Sequence, residues 1–112
     1  FDNIKDDFTI TKQEPFGPLV PILTFKKFDE VVERSNNNEL GLASYIYTND
    51  MEKANKASEL METGTVAVNT PVVAVAEAPF GGIKQTGYGR EGGSMAIKDY
   101  LNVKYTHLGL KG

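Results

Sequence analysis

The segment Gly87-Tyr88-Gly89-Arg90-Glu91-Gly92 has the G-x-G-x-x-G spacing with which a glycine turn brings backbone N–H groups against a dinucleotide pyrophosphate. That chemistry needs a strand before the turn, a helix N-terminus after it and an acidic residue about 20 positions on. Here the glycines follow a loop and the chain ends soon after, so the fingerprint is set aside. Gly82-Ile83-Lys84-Gln85-Thr86-Gly87 fails as a phosphate-binding loop because no Gly-Lys-Ser/Thr closes it. Counting excludes more. With no cysteine among 112 residues, the chain has no disulfide framework, thiolate zinc site or thiol nucleophile of its own. With a single histidine, His107, neither a His-based metal cluster nor a His-dependent triad is expected. His107 is expected to be a surface or strand-face residue with no catalytic role.

Twelve Lys and Arg against fifteen Asp and Glu give a net charge of −3 with no basic stripe, so nucleic acid is not an expected partner. No apolar run approaches the roughly 18 residues that span a bilayer, and no membrane partner is expected. Hydrophobic residues at 40% and charged residues at 24% fit an ordinary globular chain with one compact core. The sequence opens on Phe1 and an acidic stretch without signal-peptide character, which predicts a cytoplasmic location and a processed or truncated chain.

The elements that must position any site follow from periodicity. Pro21-Ile22-Leu23-Thr24-Phe25 is apolar and β-branched and reads as a strand. Phe28, Val31, Val32 and Ser35 then recur at i, i+3, i+4 and i+7 on one helix face. Asn36-Asn37-Asn38 and Gly41 should end that helix through left-handed backbone. A second strand is expected over Leu42 to Thr48. A second helix is capped by Asn49, with Glu52 as its capping-box partner and Gly64 past its end. Met51, Ala54, Ala57, Leu60 and Met61 form its apolar face. Thr65 to Asn69 is a third strand. Strand, helix, strand, helix, strand with short connections predicts an α/β fold whose crossovers force parallel pairing.

Beyond Asn69 the alternation stops. Pro79 to Gly93 holds six glycines in fifteen residues, too many for a helix or strand interior, and reads as a long structured loop. A short helix is expected from about Ser94 to Leu101. The alternating tail Val103 to Leu110 reads as a strand with no partner inside the chain, an edge that invites pairing with another chain.

Taken as a whole, Pro79-Phe80-Gly81-Gly82-Ile83-Lys84-Gln85-Thr86-Gly87-Tyr88-Gly89-Arg90-Glu91 closely resembles the P-F-G-G-x-K-x-S-G-x-G-R-E signature of NAD(P)-dependent aldehyde dehydrogenases. Glu14-Pro15-Phe16-Gly17-Pro18 resembles the same family's E-x-F-G-P motif. Between them Asn36, Gly41-Leu42-Ala43, Gly64 and Val68-Asn69 fall in the family's order. The resemblance covers roughly Phe8 to Tyr105. Ala78 to Gln85 and Asp99 to Tyr105 look most like the succinate semialdehyde dehydrogenases. Those enzymes commonly carry a serine where this chain has Ala74, five residues after the Val-Asn pair.

The resemblance implies the βαβαβ part of a catalytic domain over residues 1–101 and a C-terminal oligomerisation strand over residues 102–112. It also implies a homodimer or homotetramer formed through that strand. It implies oxidation of an aldehyde, succinate semialdehyde or a related semialdehyde, with NAD or NADP, through a cysteine thiohemiacetal whose nucleophile lies outside this chain. The chain alone is then expected to be inactive. Glu14 would accept hydrogen bonds from the nicotinamide ribose hydroxyls, and Phe16 would pack beside the nicotinamide. Phe80 would line the aldehyde pocket, and Ala74 would stand at the end that receives the substrate carboxylate. Asn69 would fix a loop near the nucleophile, while Lys84, Arg90 and Glu91 are expected to knit the glycine-rich loop together. The alternative is a non-enzymatic α/β interaction or assembly module built on the same fold.

Overall fold

A computed structural model describes residues 1–110 and 112. A single turn, α1 (Thr9–Lys12), precedes α2 (Phe28–Asn36). The Glu30 side chain of α2 accepts hydrogen bonds from the backbone N–H groups of Lys26 and Lys27, at 3.1 and 3.3 Å, which are donors a helix start leaves free. Those bonds, the Lys26 one foremost, hold the Glu30 carboxyl below its ordinary range. Next come β1 (Leu40–Gly41), β2 (Ala43–Ile46), α3 (Met51–Leu60) and β3 (Thr65–Val68).

The centre of the fold is one βαβ unit. Strands β2 and β3 pair in parallel from Ala43↔Thr65 to Ile46↔Val68, and α3 is the crossover that parallel pairing demands. Ala54 and Ala57 on α3 and Ala67 on β3 are the buried hydrophobic residues. Their small side chains let the helix lie close to the sheet. The N-cap of α3 is Asp50 rather than Asn49: its Oδ1 accepts from the N–H of Glu52 and of Lys53, each at 3.1 Å. A carboxylate suits this position because it also faces the positive end of the helix dipole.

Several sequence expectations are corrected. Pro21 to Phe25 lies in no sheet. Its backbone is met by Phe1 at Val20 and Ile22 and by the Arg34 guanidinium at Thr24, so no ladder forms and the expected βαβαβ sheet reduces to two parallel strands. The strand expected over Leu42 to Thr48 is shorter, Ala43–Ile46, and a bend at Leu42 separates it from Leu40–Gly41. Those two residues, outside the expected strand, pair antiparallel with β4 (Ile83–Lys84), through Leu40↔Lys84 and Gly41↔Ile83. That fourth strand lies inside the glycine-rich loop, in its glycine-free stretch. Helix α2 closes without left-handed backbone, since Asn37 has φ −74°. Side-chain amides take over, with Asn38 Oδ1 accepting from Leu40 N–H at 2.8 Å.

The helix expected near Ser94 is a 3₁₀ turn over Ala96–Tyr100. The tail 101–110 is extended and exposed and forms no strand, because an isolated strand has nothing to satisfy its ladder groups. Lys111, within the expected 102–112 strand, lies outside the described residues. Nor is there one compact core. The radius of gyration is 19.5 Å and the longest dimension is 78 Å, against about 13 Å for the radius of a compact domain of this length.

Candidate functional site

The glycine-rich loop folds back against the βαβ unit in three layers of contact. Phe80 and Glu91 exchange both backbone hydrogen bonds at 2.7 Å, which closes the loop into a hairpin-like collar. Arg90 holds the collar from inside: its Nη1 donates to the carbonyls of Gly82 and Gly89 at 2.8 and 2.7 Å, while its own N–H donates to Asp99 Oδ2 at 2.7 Å. Thr86 Oγ1 accepts from Gly41 N–H at 2.8 Å, which joins the loop to β1. Glycine is required where the loop meets the sheet. A Cβ on Gly64 would stand 2.8 Å from the Gly81 carbonyl carbon and 2.9 Å from Gly82 Cα, so backbone passes over backbone with no room for a side chain.

Lys84 carries the third layer. It has φ +56°, a left-handed conformation that costs a non-glycine residue on the order of 1 kcal/mol. Its ammonium donates to the carbonyls of Asn36 and Asn38 at 2.8 and 3.1 Å and pairs with Glu62 at 2.6 Å. The same Asn36 bridges the C-terminal ends of the two helices, its Nδ2 donating to Leu60 O at 2.8 Å and its Oδ1 accepting from Glu62 N–H at 2.9 Å. Lys84, Arg90 and Glu91 therefore do knit the loop together. The Asn36–Glu62–Lys84 junction and the Asp99 anchor were not evident from sequence. The triple asparagine signalled a helix end but not that the first amide would clamp a second helix.

Asn69, at the end of β3, also lies at positive φ, +55°, a region asparagine tolerates. Its side-chain amide both accepts from Thr48 N–H and donates to Thr48 O, each at 2.9 Å. The two chain exits from the parallel strands are thereby locked side by side.

The expected ligand-facing residues lie on two separate segments. Glu14 and Phe16 occupy an exposed stretch stiffened by two successive tight turns, Gly17 N–H to Pro15 O and Leu19 N–H to Gly17 O, both 2.8 Å. Phe16 is 97% exposed. Among the described residues Glu14 makes no hydrogen bond or ion pair. Phe80 is half-buried beside the collar, and Ala74 is exposed on the loop that leads to it. No hydrogen bond among the described residues links the Glu14–Phe16 stretch to Ala74 or to the Phe80 collar. None of the four lines the largely apolar cavity of about 470 Å³ between α2, β2 and α3, which has Phe25, Phe28, Val31, Tyr45, Tyr47 and Met61 in its wall. Among the described residues His107 Nδ1 meets only the Tyr105 hydroxyl, at 3.1 Å. Among the described residues no group of three or more His, Cys, Asp or Glu is placed to hold a metal ion, and no helix is long and apolar enough to cross a membrane.

Two glycine-dependent motifs in one chain, one folded as a collar and one as an exposed turn, are what a family comparison can decide. The family model described as "Aldehyde dehydrogenase family" matches residues 1–106. The chain belongs to the aldehyde dehydrogenase family. It is 50% identical over 100 residues to 3-sulfolactaldehyde dehydrogenase of Pseudomonas putida, covering 89% of this chain and 21% of that protein. The crystal structure of succinate-semialdehyde dehydrogenase from Burkholderia pseudomallei matches with a TM-score of 0.85 and 41% identity, over 88% of this chain and 20% of that one. An NAD⁺ complex of aldehyde dehydrogenase from Bacillus cereus matches with a TM-score of 0.87 and 43% identity, over 91% of this chain and 21% of that one. The chain thus spans about a fifth of the length of the relatives it matches.

Proposed function

We propose that this chain is the C-terminal part of an NAD(P)-dependent aldehyde dehydrogenase, and that it supplies a cofactor-side turn and a substrate-side wall to an active site completed by other residues. Family membership across residues 1–106 carries this reading. The whole enzyme would oxidise an aldehyde to the carboxylic acid through a cysteine thiohemiacetal. Since the chain holds no cysteine, the nucleophile lies outside it. Homo-oligomerisation through the exposed tail and a cytoplasmic location belong to the same proposal.

The residues present fit a nicotinamide dinucleotide. Glu14 is a carboxylate with no partner among the described residues, and a carboxylate offers only acceptors, so it can take two vicinal hydroxyls together. Phe16 holds an aromatic face out to solvent at 97% exposure, on a turn stiff enough to keep it there. When bound, the dinucleotide supplies the hydride acceptor. Glu14 would then orient its ribose and Phe16 would limit its movement, which would serve the alignment hydride transfer needs. Phe80 on its collar is the apolar wall that positions a small aldehyde and keeps water off it.

For substrate class we favour a semialdehyde, supported by the likeness to the Burkholderia pseudomallei enzyme. Ala74 then stands where a hydroxyl would greet the distal carboxylate. The test is formation of reduced cofactor by the full-length enzyme with a series of aldehydes and either dinucleotide. Turnover with semialdehydes is the expected result. Absence of turnover with every aldehyde and both cofactors would refute the proposal.

A further inference from the structure

We propose that Lys84 is a positioning residue for the substrate pocket: it ties the strand that follows Phe80 to the C-terminal ends of α2 and α3 and so sets where the Phe80 ring stands. This rests on the reading above, in which Phe80 lines the aldehyde pocket.

Three observations meet at this side chain. Its backbone sits at φ +56°, where glycine or asparagine would be relaxed and lysine is not. The surrounding structure must therefore hold it there, and strained positions that persist point to a role for the side chain. Secondly, the ammonium has its bonding capacity filled, by the Asn36 and Asn38 carbonyls and the Glu62 carboxylate, and the Lys84 side chain is only 23% exposed. The two carbonyls belong to the last turn of α2 and the residues just past it, where the helix dipole favours a cation.

The third observation is what lies between Lys84 and Phe80. Gly81 and Gly82 have no side chain to fix the path, and β4 pairs with β1 over two residues only. Phe80 is thus located by its anchors. On one side stand the Glu91 bridge and Arg90; on the other stands Lys84. Arginine could replace the charge but not the single-point reach to three acceptors.

The experiment is the ratio of kcat/KM for a long aldehyde to that for a short one, measured on the full-length enzyme. This ratio is independent of how much of each preparation is folded, so a merely structural defect does not move it. Lys84→Met and Lys84→Gly should each shift the ratio about tenfold, the scale expected when a positioning group moves by a fraction of an ångström. Lys84→Arg should recover part of the shift. Lys84→Gly relieves the backbone strain yet lacks the ammonium, so a wild-type ratio in that variant overturns the proposal. If neither variant is soluble, Glu62→Gln decides: a smaller shift in the same direction supports the tether, and an unchanged ratio overturns it. Phe80→Ala separates the two readings. Should wild type oxidise aldehydes and Phe80→Ala shift the ratio while the soluble Lys84 variants do not, the Lys84 role alone fails. Should wild type oxidise no aldehyde, the functional reading itself fails.

Discussion

Glu14 has nothing to hold in the described fold, and that makes it a clean probe. Glu14→Gln replaces one acceptor oxygen by an NH₂ donor, so one ribose hydroxyl loses its partner while folding loses nothing. A hydrogen bond to a charged group contributes about 1.5–3 kcal/mol, which corresponds to about ten- to a hundredfold in rate. The single-turnover hydride-transfer rate of the full-length enzyme should fall by that factor with an unchanged Tm. An unchanged hydride step would remove Glu14 from the cofactor site.

Ala74 supports a second single-residue test. A substrate carboxylate is costly to bury without compensating groups, and an alanine methyl offers none. Ala74→Ser should raise kcat/KM for succinate semialdehyde by about tenfold or more, the worth of one hydrogen bond to a charge, and leave uncharged aldehydes of the same length unaffected. Equal changes for both would show that Ala74 does not face the carboxylate. Residue types alone made Glu14, Phe16 and Phe80 unremarkable; only their setting in two motifs singled them out. Their placement on separate, unlinked segments was invisible in the sequence, because nothing in the spacing states which surface each turn presents.

Helix α3 shows how local signals fix an element while leaving its details open. Its position was legible, yet Met51 and Leu60 of the expected apolar face are exposed, the helix stops at Leu60, short of Gly64, and the cap is Asp50, one residue later than expected. Backbone bonding from Lys53, followed by the Lys53 side chain, holds Asp50 below its ordinary value of 3.8. A depressed carboxyl pKa contributes stability that is present above the unfolded value and lost as pH falls through the folded one. Protection of the first-turn amides of α3 against hydrogen exchange should therefore weaken below about pH 3.8 in the wild-type enzyme. Asp50→Asn keeps the capping geometry without the titration, so its protection should stay flat across the same range. Parallel behaviour of the two proteins would mean that Asp50 titration does not govern this helix start. The expected strand at Pro21 to Phe25 failed for a different reason. Its pattern reports what could pair, and the one backbone neighbour it meets among the described residues, Phe1 at Val20 and Ile22, is too short to make a ladder.

Taken as one body, the chain is an opened-out structure. Composition near the globular average suggested a compact core, but composition cannot say whether the partners for the apolar surface lie in the same chain. Among the described residues the buried hydrophobic ones are three alanines, while Phe16, Val20, Ile22, Tyr47, Val103 and Leu110 are exposed. Ordering the backbone costs about 1–2 kcal/mol per residue, whereas burial returns roughly 25 cal/mol per Å² of apolar surface. Alanine methyls contribute little of that area, and a sheet of two parallel four-residue strands is below the size that stands alone in water. The isolated 112-residue chain is therefore expected to lose its secondary structure gradually on heating, without a sigmoidal transition by circular dichroism. It is also expected to form no reduced cofactor with any aldehyde, since it holds no cysteine. Mixed with the remainder of the enzyme as a separate polypeptide, it should gain a cooperative transition as its exposed apolar face is covered. A sharp melting transition in the isolated chain at low concentration would show that a core of three alanines and the glycine collar suffices, and that this chain is a self-standing fold.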